Sequence, residues 1–260
     1  MLQQLSAEEL PKVEKEIVDF ITTSTVHEEL KKSMLYSIEA GGKRIRPLIV
    51  LATVQAFQKE LTAPVYQTAG ALEMIHTYSL IHDDLPAMDD DALRRGKPTN
   101  HKVYGEALAI LAGDGLLTAA FQLLSLADLE PDKKILLLQQ LSHTAGTAGM
   151  VAGQAADIRG ENQQLTLDEL ISIHERKTGE LIRFAVIAGG ILADQTEEVI
   201  QLLDQFARHM GLAFQIRDDL LDVTSTTEVL GKIVHRDDAL AKSTYPALLC
   251  LLYTSDAADE

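Results

Sequence analysis

The residues best placed to do chemistry in this chain are aspartates in two clusters. The first lies in Glu73 to Lys97 (EMIHTYSLIHDDLPAMDDDALRRGK), where Asp83, Asp84 and Asp89 precede Arg94, Arg95 and Lys97. His76 and Asp83 are seven residues apart and share one face of a helix. Asp83 and Asp89 are six apart, which a regular helix would place on nearly opposite faces. Pro86 disfavours helical backbone at Leu85, so the spacing predicts a kink or bulge that returns Asp89 to Asp83. Carboxylates brought that close repel unless a cation neutralises them, and an all-oxygen, partly hydrated set suits Mg²⁺. On its own, such a string is equally well a solvated acidic turn.

The second cluster shifts that balance. In FQIRDDLLDV, Asp218, Asp219 and Asp222 fall within about one helical turn, and Asp218 and Asp222 share a face. The helix is otherwise apolar, so acids on its buried side need a partner or a metal. Two such clusters on two apolar helices predict opposite walls of one pocket, each holding Mg²⁺. Sites of this kind complete the metal shell with substrate phosphates, so a diphosphate is the expected ligand, with neighbouring cations taking its remaining charge.

The elements that position these residues are helices. Apolar residues recur at three- and four-residue spacing almost throughout, and alternating strand patterns are nearly absent. The pattern predicts helices over 6–20, with Ser6 and Glu9 as a capping box, and over 26–39, ending at Gly41 and Gly42. It predicts another opened by Pro47, and one from Pro64 into the first acidic cluster. A polar loop at 89–101 precedes helices over 103–128 and 132–157. Thr166 is a predicted N-cap for a long helix to 192, and a last one covers 196–223. No Pro-, Gly- or Ser-rich linker divides the chain, so a single all-α domain is expected.

Composition narrows the function. A formal net charge of -16 argues against nucleic acid or an anionic membrane as the main partner. The single cysteine, Cys250, leaves no disulfide framework. The polar, acidic start shows no secretory leader, and no uninterrupted apolar run is long enough to span a bilayer. A cytoplasmic protein is expected.

Further residues could serve an anion. In Gly41-Gly42-Lys43-Arg44-Ile45-Arg46-Pro47, glycines allow close backbone approach and three cations precede a helix N-terminus. The same residues could form a solvated basic turn. Arg94 and Arg95 are either phosphate clamps or partners for the acids at 89–91. Gly179, after Lys177 and Thr178, breaks a helical pattern and marks either a purposeful kink or close helix packing. Gln154 and Asp157 share a face and either reach the pocket or form a core pair. His76 alone would be an ordinary buried histidine.

Taken together, GGKRIRP, IHDDLPAMDDDALRRGKPTNH, RKTG, FQIRDDLLD, LGK and KSTYPALL resemble the all-trans polyprenyl diphosphate synthases, and most closely the bacterial-type farnesyl diphosphate synthases. The match runs over about 31–249. The resemblance implies the all-α isoprenoid synthase fold around a central cavity, a homodimer, and three Mg²⁺ per active site. It implies that Asp83, Asp84 and Asp89 bind metal on one side and Asp218, Asp219 and Asp222 on the other. Lys43, Arg46, His76 and Arg95 match the family's isopentenyl diphosphate positions. Arg94, Lys177, Thr178, Gln215, Lys232 and Lys242 match those for the allylic substrate, dimethylallyl or geranyl diphosphate. The implied product is farnesyl diphosphate, formed by ionisation, condensation and elimination. Tyr78, with Ser79 next to it, occupies the position where a bulky residue limits product length.

The sequence departs from the family in two places. His235 stands in LGKIVHRDD where the family has a glycine, and the ending CLLYTSDAADE does not resemble the family's further helical segment, as a truncated or atypical terminus would not. The nearest alternative is a geranylgeranyl diphosphate synthase of the same fold. An acidic metal-binding helical scaffold would share the aspartates, but it would not explain the cations beside both clusters.

Overall fold

The computed structural model of the chain describes residues 2–161, 163–224 and 245–249. It is all-α, as the periodicity predicts. The strands among the described residues are one short antiparallel hairpin, β1 (Leu93–Arg94) with β2 (Lys97–Pro98), inside the expected polar loop. The helices are α1 (Leu2–Ser24), α2 (Glu28–Ile38), α3 (Ile45–Ala56) and α4 (Ala63–Asp83). After the hairpin come α5 (Asn100–Tyr104), α6 (Glu106–Leu126), α7 (Pro131–Ala145) and α8 (Met150–Gly160). Then follow α9 (Leu167–His174), a π-helical turn (Glu175–Gly179), α10 (Glu180–Leu192), α11 (Glu197–Thr224) and α12 (Tyr245–Leu249).

Several expected helices are divided or shifted, each for a local reason. Because α1 starts at Leu2, Ser6 and Glu9 lie inside it rather than at its cap, and Glu9 instead ion-pairs with Lys12 at 2.8 Å. Gly105, at φ 82°, separates α5 from α6, a backbone state that glycine enters without a Cβ clash. Turns at Gly146 and Gly149 separate α7 from α8. Thr166 caps α9 as expected, in a reciprocal capping box with Glu169.

The chain divides into two compact units, one formed by 1–140 with 185–200 and the other by 141–184 with 201–260. At the centre of the first is α4, which packs against α1, α3 and α6. It buries residues all around its circumference, among them Leu72, Met74, Ile75 and Ile81, as a helix apolar on every side must. By length and composition alone α6 is long and apolar enough to cross a membrane, although Asp114 and Gln122 interrupt its apolar run. Ala109, Ala112, Leu116, Ala120 and Leu124 are buried in α6, and the helix packs along α4, as a core helix does. At Gly113 a Cβ would run into the imidazole of His82 on α4, so the histidine ring occupies the space that glycine leaves.

Candidate active site

In the first unit, α4 ends at Asp83, and the chain turns back rather than kinking and continuing. Asp89 N donates to Asp83 O at 2.9 Å and Asp91 N to Asp84 O at 3.1 Å, so the turn brings the backbone of Asp89 against Asp83. Pro86 lies just beyond the helix end, as its missing donor requires. The backbones of Asp83 and Asp89 meet here, and they do so by termination of the helix instead of a bulge.

Asp84 has a different role from its neighbours. It is buried, and Arg94 grips both its oxygens, with Nε at 2.8 and 2.9 Å and Nη2 at 2.6 Å. Burial raises the Asp84 pKa, and the Arg94 bonds oppose that rise. This clamp ties the β-hairpin to the end of α4. Asp83 and Asp89 are half-buried.

The basic turn before α3 assembles against the same helix. Arg46 Nη1 lies 3.3 Å from His76 Nε2 on α4. Arg95, on the hairpin, donates through Nη1 to the carbonyl of Gly41. Gly42 sits at φ 130°, and a Cβ there would fall 2.5 Å from the Arg95 guanidinium carbon, so only glycine admits this contact. His76 is held neutral, its pKa driven well below the usual value by burial and then by the charges of Arg46, Arg95, Arg94 and Arg44. A half-buried imidazole beside Arg46, within the field of further arginines, marks a positive site suited to a polyanion. Lys43 is exposed beside it. Arg44, one of the three cations of this turn, faces inward instead, to Glu73, Glu14 and the carbonyl of Ile38.

Tyr78 is buried on α4, with its ring edge-on to His82 at a centroid distance of 5.7 Å. Ser79 bonds back to the His76 carbonyl at 2.9 Å.

In the second unit, the break expected at Lys177–Gly179 is the π-helical turn, a feature that widens a helix locally and often marks functional positions. Lys177 Nζ bonds Asp157 Oδ2 at 2.6 Å, and Thr178 lies in the same turn. Gly153 on α8 makes room for it, and a Cβ on Gly211 of α11 would lie 3.1 Å from Gly179 Cα. On α11, Asp218 is half-buried. Asp219 is buried, accepting from Gln215 Nε2 at 2.7 Å and from the backbone N–H of Tyr245 at 3.1 Å. With both oxygens taken by protein donors, Asp219 anchors α12 to α11. Asp222 lies on α11, while Lys232, His235 and Lys242 lie outside the described residues.

Among the described residues, no three His, Cys, Asp or Glu side chains already form a metal-holding group. Mg²⁺ is characteristically held by one or two carboxylates with substrate phosphates rather than by protein ligands alone. The donor set fits that ion: Asp83 and Asp89 in the first unit and Asp218 in the second offer only oxygen. Sequence reasoning missed Glu73, Glu14 and the hairpin that presents Arg94 and Arg95. The signal available for Glu73 was a charge placed in an otherwise apolar helix.

A family model described as polyprenyl synthetase matches residues 27–260. The chain is 54% identical to the farnesyl diphosphate synthase of Bacillus subtilis (strain 168), over 92% of this chain and 81% of that protein. It is 52% identical to the farnesyl diphosphate synthase of Geobacillus stearothermophilus, over 96% and 86%. Among solved structures it resembles the geranyltransferase of Helicobacter pylori complexed with magnesium and isoprenyl diphosphate. There the TM-score is 0.82 at 37% identity, covering 97% of this chain and 87% of that one.

Proposed function

Because the chain belongs to the polyprenyl synthetase family, we propose that it is a Mg²⁺-dependent cytoplasmic prenyltransferase that makes farnesyl diphosphate. Its substrates are isopentenyl diphosphate and dimethylallyl or geranyl diphosphate. The observation that carries this reading is the convergence of Arg46, His76 and Arg95 on the glycine turn of the unit that also holds Asp83 and Asp89.

Lys43, Arg46 and Arg95 bind the isopentenyl diphosphate through charge-assisted hydrogen bonds, and neutral His76 adds a polar contact without another charge. In the second unit, Lys177, Thr178 and Gln215 are assigned to the allylic diphosphate. Asp83, Asp89 and Asp218 hold the metal, whose expected complement is three ions. Bound Mg²⁺ supplies the charge neutralisation that lets the allylic diphosphate leave. The isopentenyl double bond then forms the new carbon–carbon bond at the allylic carbon, and a proton passes to the released diphosphate. The chain supplies no nucleophile; it orients the two substrates and keeps water out. A homodimer is the expected assembly.

Two measurements test this. Product analysis with labelled isopentenyl diphosphate should give farnesyl diphosphate from either allylic partner, and no incorporation would refute the activity. Product length is assigned to Tyr78, because an incompressible buried ring makes a longer tail cost ~1–3 kcal/mol of overpacking. Tyr78→Ala should shift the product towards geranylgeranyl diphosphate; an active variant that still stops at farnesyl would sink that assignment.

A further inference from the structure

Arg44 is an unusual residue for its position. It lies between Lys43 and Arg46, yet its side chain is only 4% exposed and its backbone is left-handed, at φ 47°. A residue with a long side chain seldom adopts that conformation and keeps it only where its surroundings over-determine it. Here the surroundings do so. Nη1 bonds Glu73 on α4 at 2.6 Å, Nε bonds Glu14 on α1 at 3.0 Å, and Nη2 bonds the carbonyl of Ile38 at the end of α2. The Glu73 side chain is 2% exposed, so this is a buried pair whose members each need the other. Burial works against the guanidinium charge, but Glu73 and Glu14 outweigh it and raise its pKa. One planar fork thus joins three helices at a turn whose glycines also sit at positive φ.

Position along α4 gives this clamp a functional consequence. Glu73 precedes His76 on that helix by three residues, about one turn. Arg44 and Arg46 therefore grip successive turns of α4, one through Glu73 and the other beside His76. We infer that Arg44 is a positioning residue for the isopentenyl diphosphate site: its three-way grip fixes the left-handed turn that sets Lys43 and Arg46 in register with His76. Arg44 touches no substrate. The inference rests on the reading of this turn as the isopentenyl diphosphate site.

Removing Arg44 alone would strand Glu73, so the test is the double variant Arg44→Met/Glu73→Leu, which replaces a buried ion pair by apolar bulk and should stay folded. Its helicity should match the parent by circular dichroism. The KM for isopentenyl diphosphate should rise about tenfold or more, while the allylic KM and kcat stay within about threefold. A folded double variant with both KM values unchanged would show the clamp to be structural ballast. Should the double variant not fold, Arg44→Lys decides: it keeps the charge but cannot span three acceptors, so the isopentenyl KM should still rise, and an unchanged value overturns the inference. Lys43→Ala, assayed alongside, separates the two layers. A selective loss of isopentenyl affinity in Lys43→Ala with silent Arg44 variants rejects only the inference. A loss confined to the allylic substrate rejects the site reading beneath it.

Discussion

His174 enters the folded state as a neutral base. Its ring lies 5.3 Å from that of Tyr245, and its Nδ1 is buried without a hydrogen-bond partner. Burial lowers its pKa to about 4, with Lys177 acting the same way and Asp157 and Asp218 opposing. An unfolded histidine titrates near 6.5, so between pH ~6.5 and ~4 the unfolded chain binds a proton that the folded chain refuses. Stability is therefore lost as pH falls through that window and is fully present above it. Between pH 7.5 and 5.5 this one group should remove about 1.4 kcal/mol. Urea unfolding of metal-free protein and His174→Gln at both values should show a shallower pH slope in the variant; identical slopes would contradict a neutral buried His174. The aspartates predict the opposite pairing of effects. Asp83→Ala or Asp218→Ala should abolish turnover yet leave thermal stability equal or higher, since each removes one negative charge from an acid-rich segment. Near-normal rates in both variants at saturating Mg²⁺ would end the metal-ligand assignment.

At the scale of elements, the π-helical turn is the feature on which the second unit's candidate site depends. A Cβ at Gly153 would lie 2.7 Å from Lys177 Cα and 2.8 Å from the carbonyl carbon of Arg176, both backbone atoms that cannot swing aside. Gly153→Ala should therefore cost ~1–3 kcal/mol and raise the allylic KM more than the isopentenyl KM. A melting curve and paired KM measurements check it, and an unshifted melt would mean that α8 and the turn can separate freely. The sequence announced this turn only as a glycine out of place, because helical periodicity does not distinguish a π turn from a kink. Asp83 and Asp89 stood out because acids at the end of an apolar helix are conspicuous, whereas Arg46 and His76 were given a role only through the resemblance to the family. The sequence could not show that Asp84 belongs to Arg94 or that Arg44 faces inward. Those assignments depend on the hairpin at 93–98 and on the left-handed backbone at Arg44, and both are tertiary outcomes. The divisions at Gly105 and at 146–149 were also missed, since apolar spacing carries across them without interruption.

For the whole molecule, two opposed quantities govern association. A net charge of -16 makes copies repel one another, the more so at low ionic strength. Against this, α5 and α6 leave Val103, Ile110 and Leu111 exposed at 47%, 44% and 54%, apolar surface that a homodimer would cover. If burial of that face drives association, added salt should strengthen the dimer by screening the repulsion while leaving the apolar term intact. An assembly held by ion pairs would weaken instead. Sedimentation velocity should therefore show a dimer whose dissociation constant falls as ionic strength rises from about 0.02 to about 0.3 M. Leu111 is 54% exposed, so Leu111→Glu should give a folded monomer. A dimer that dissociates with salt, or one indifferent to Leu111→Glu, would place the interface on another face, and a monomer under all conditions would reject the homodimer itself.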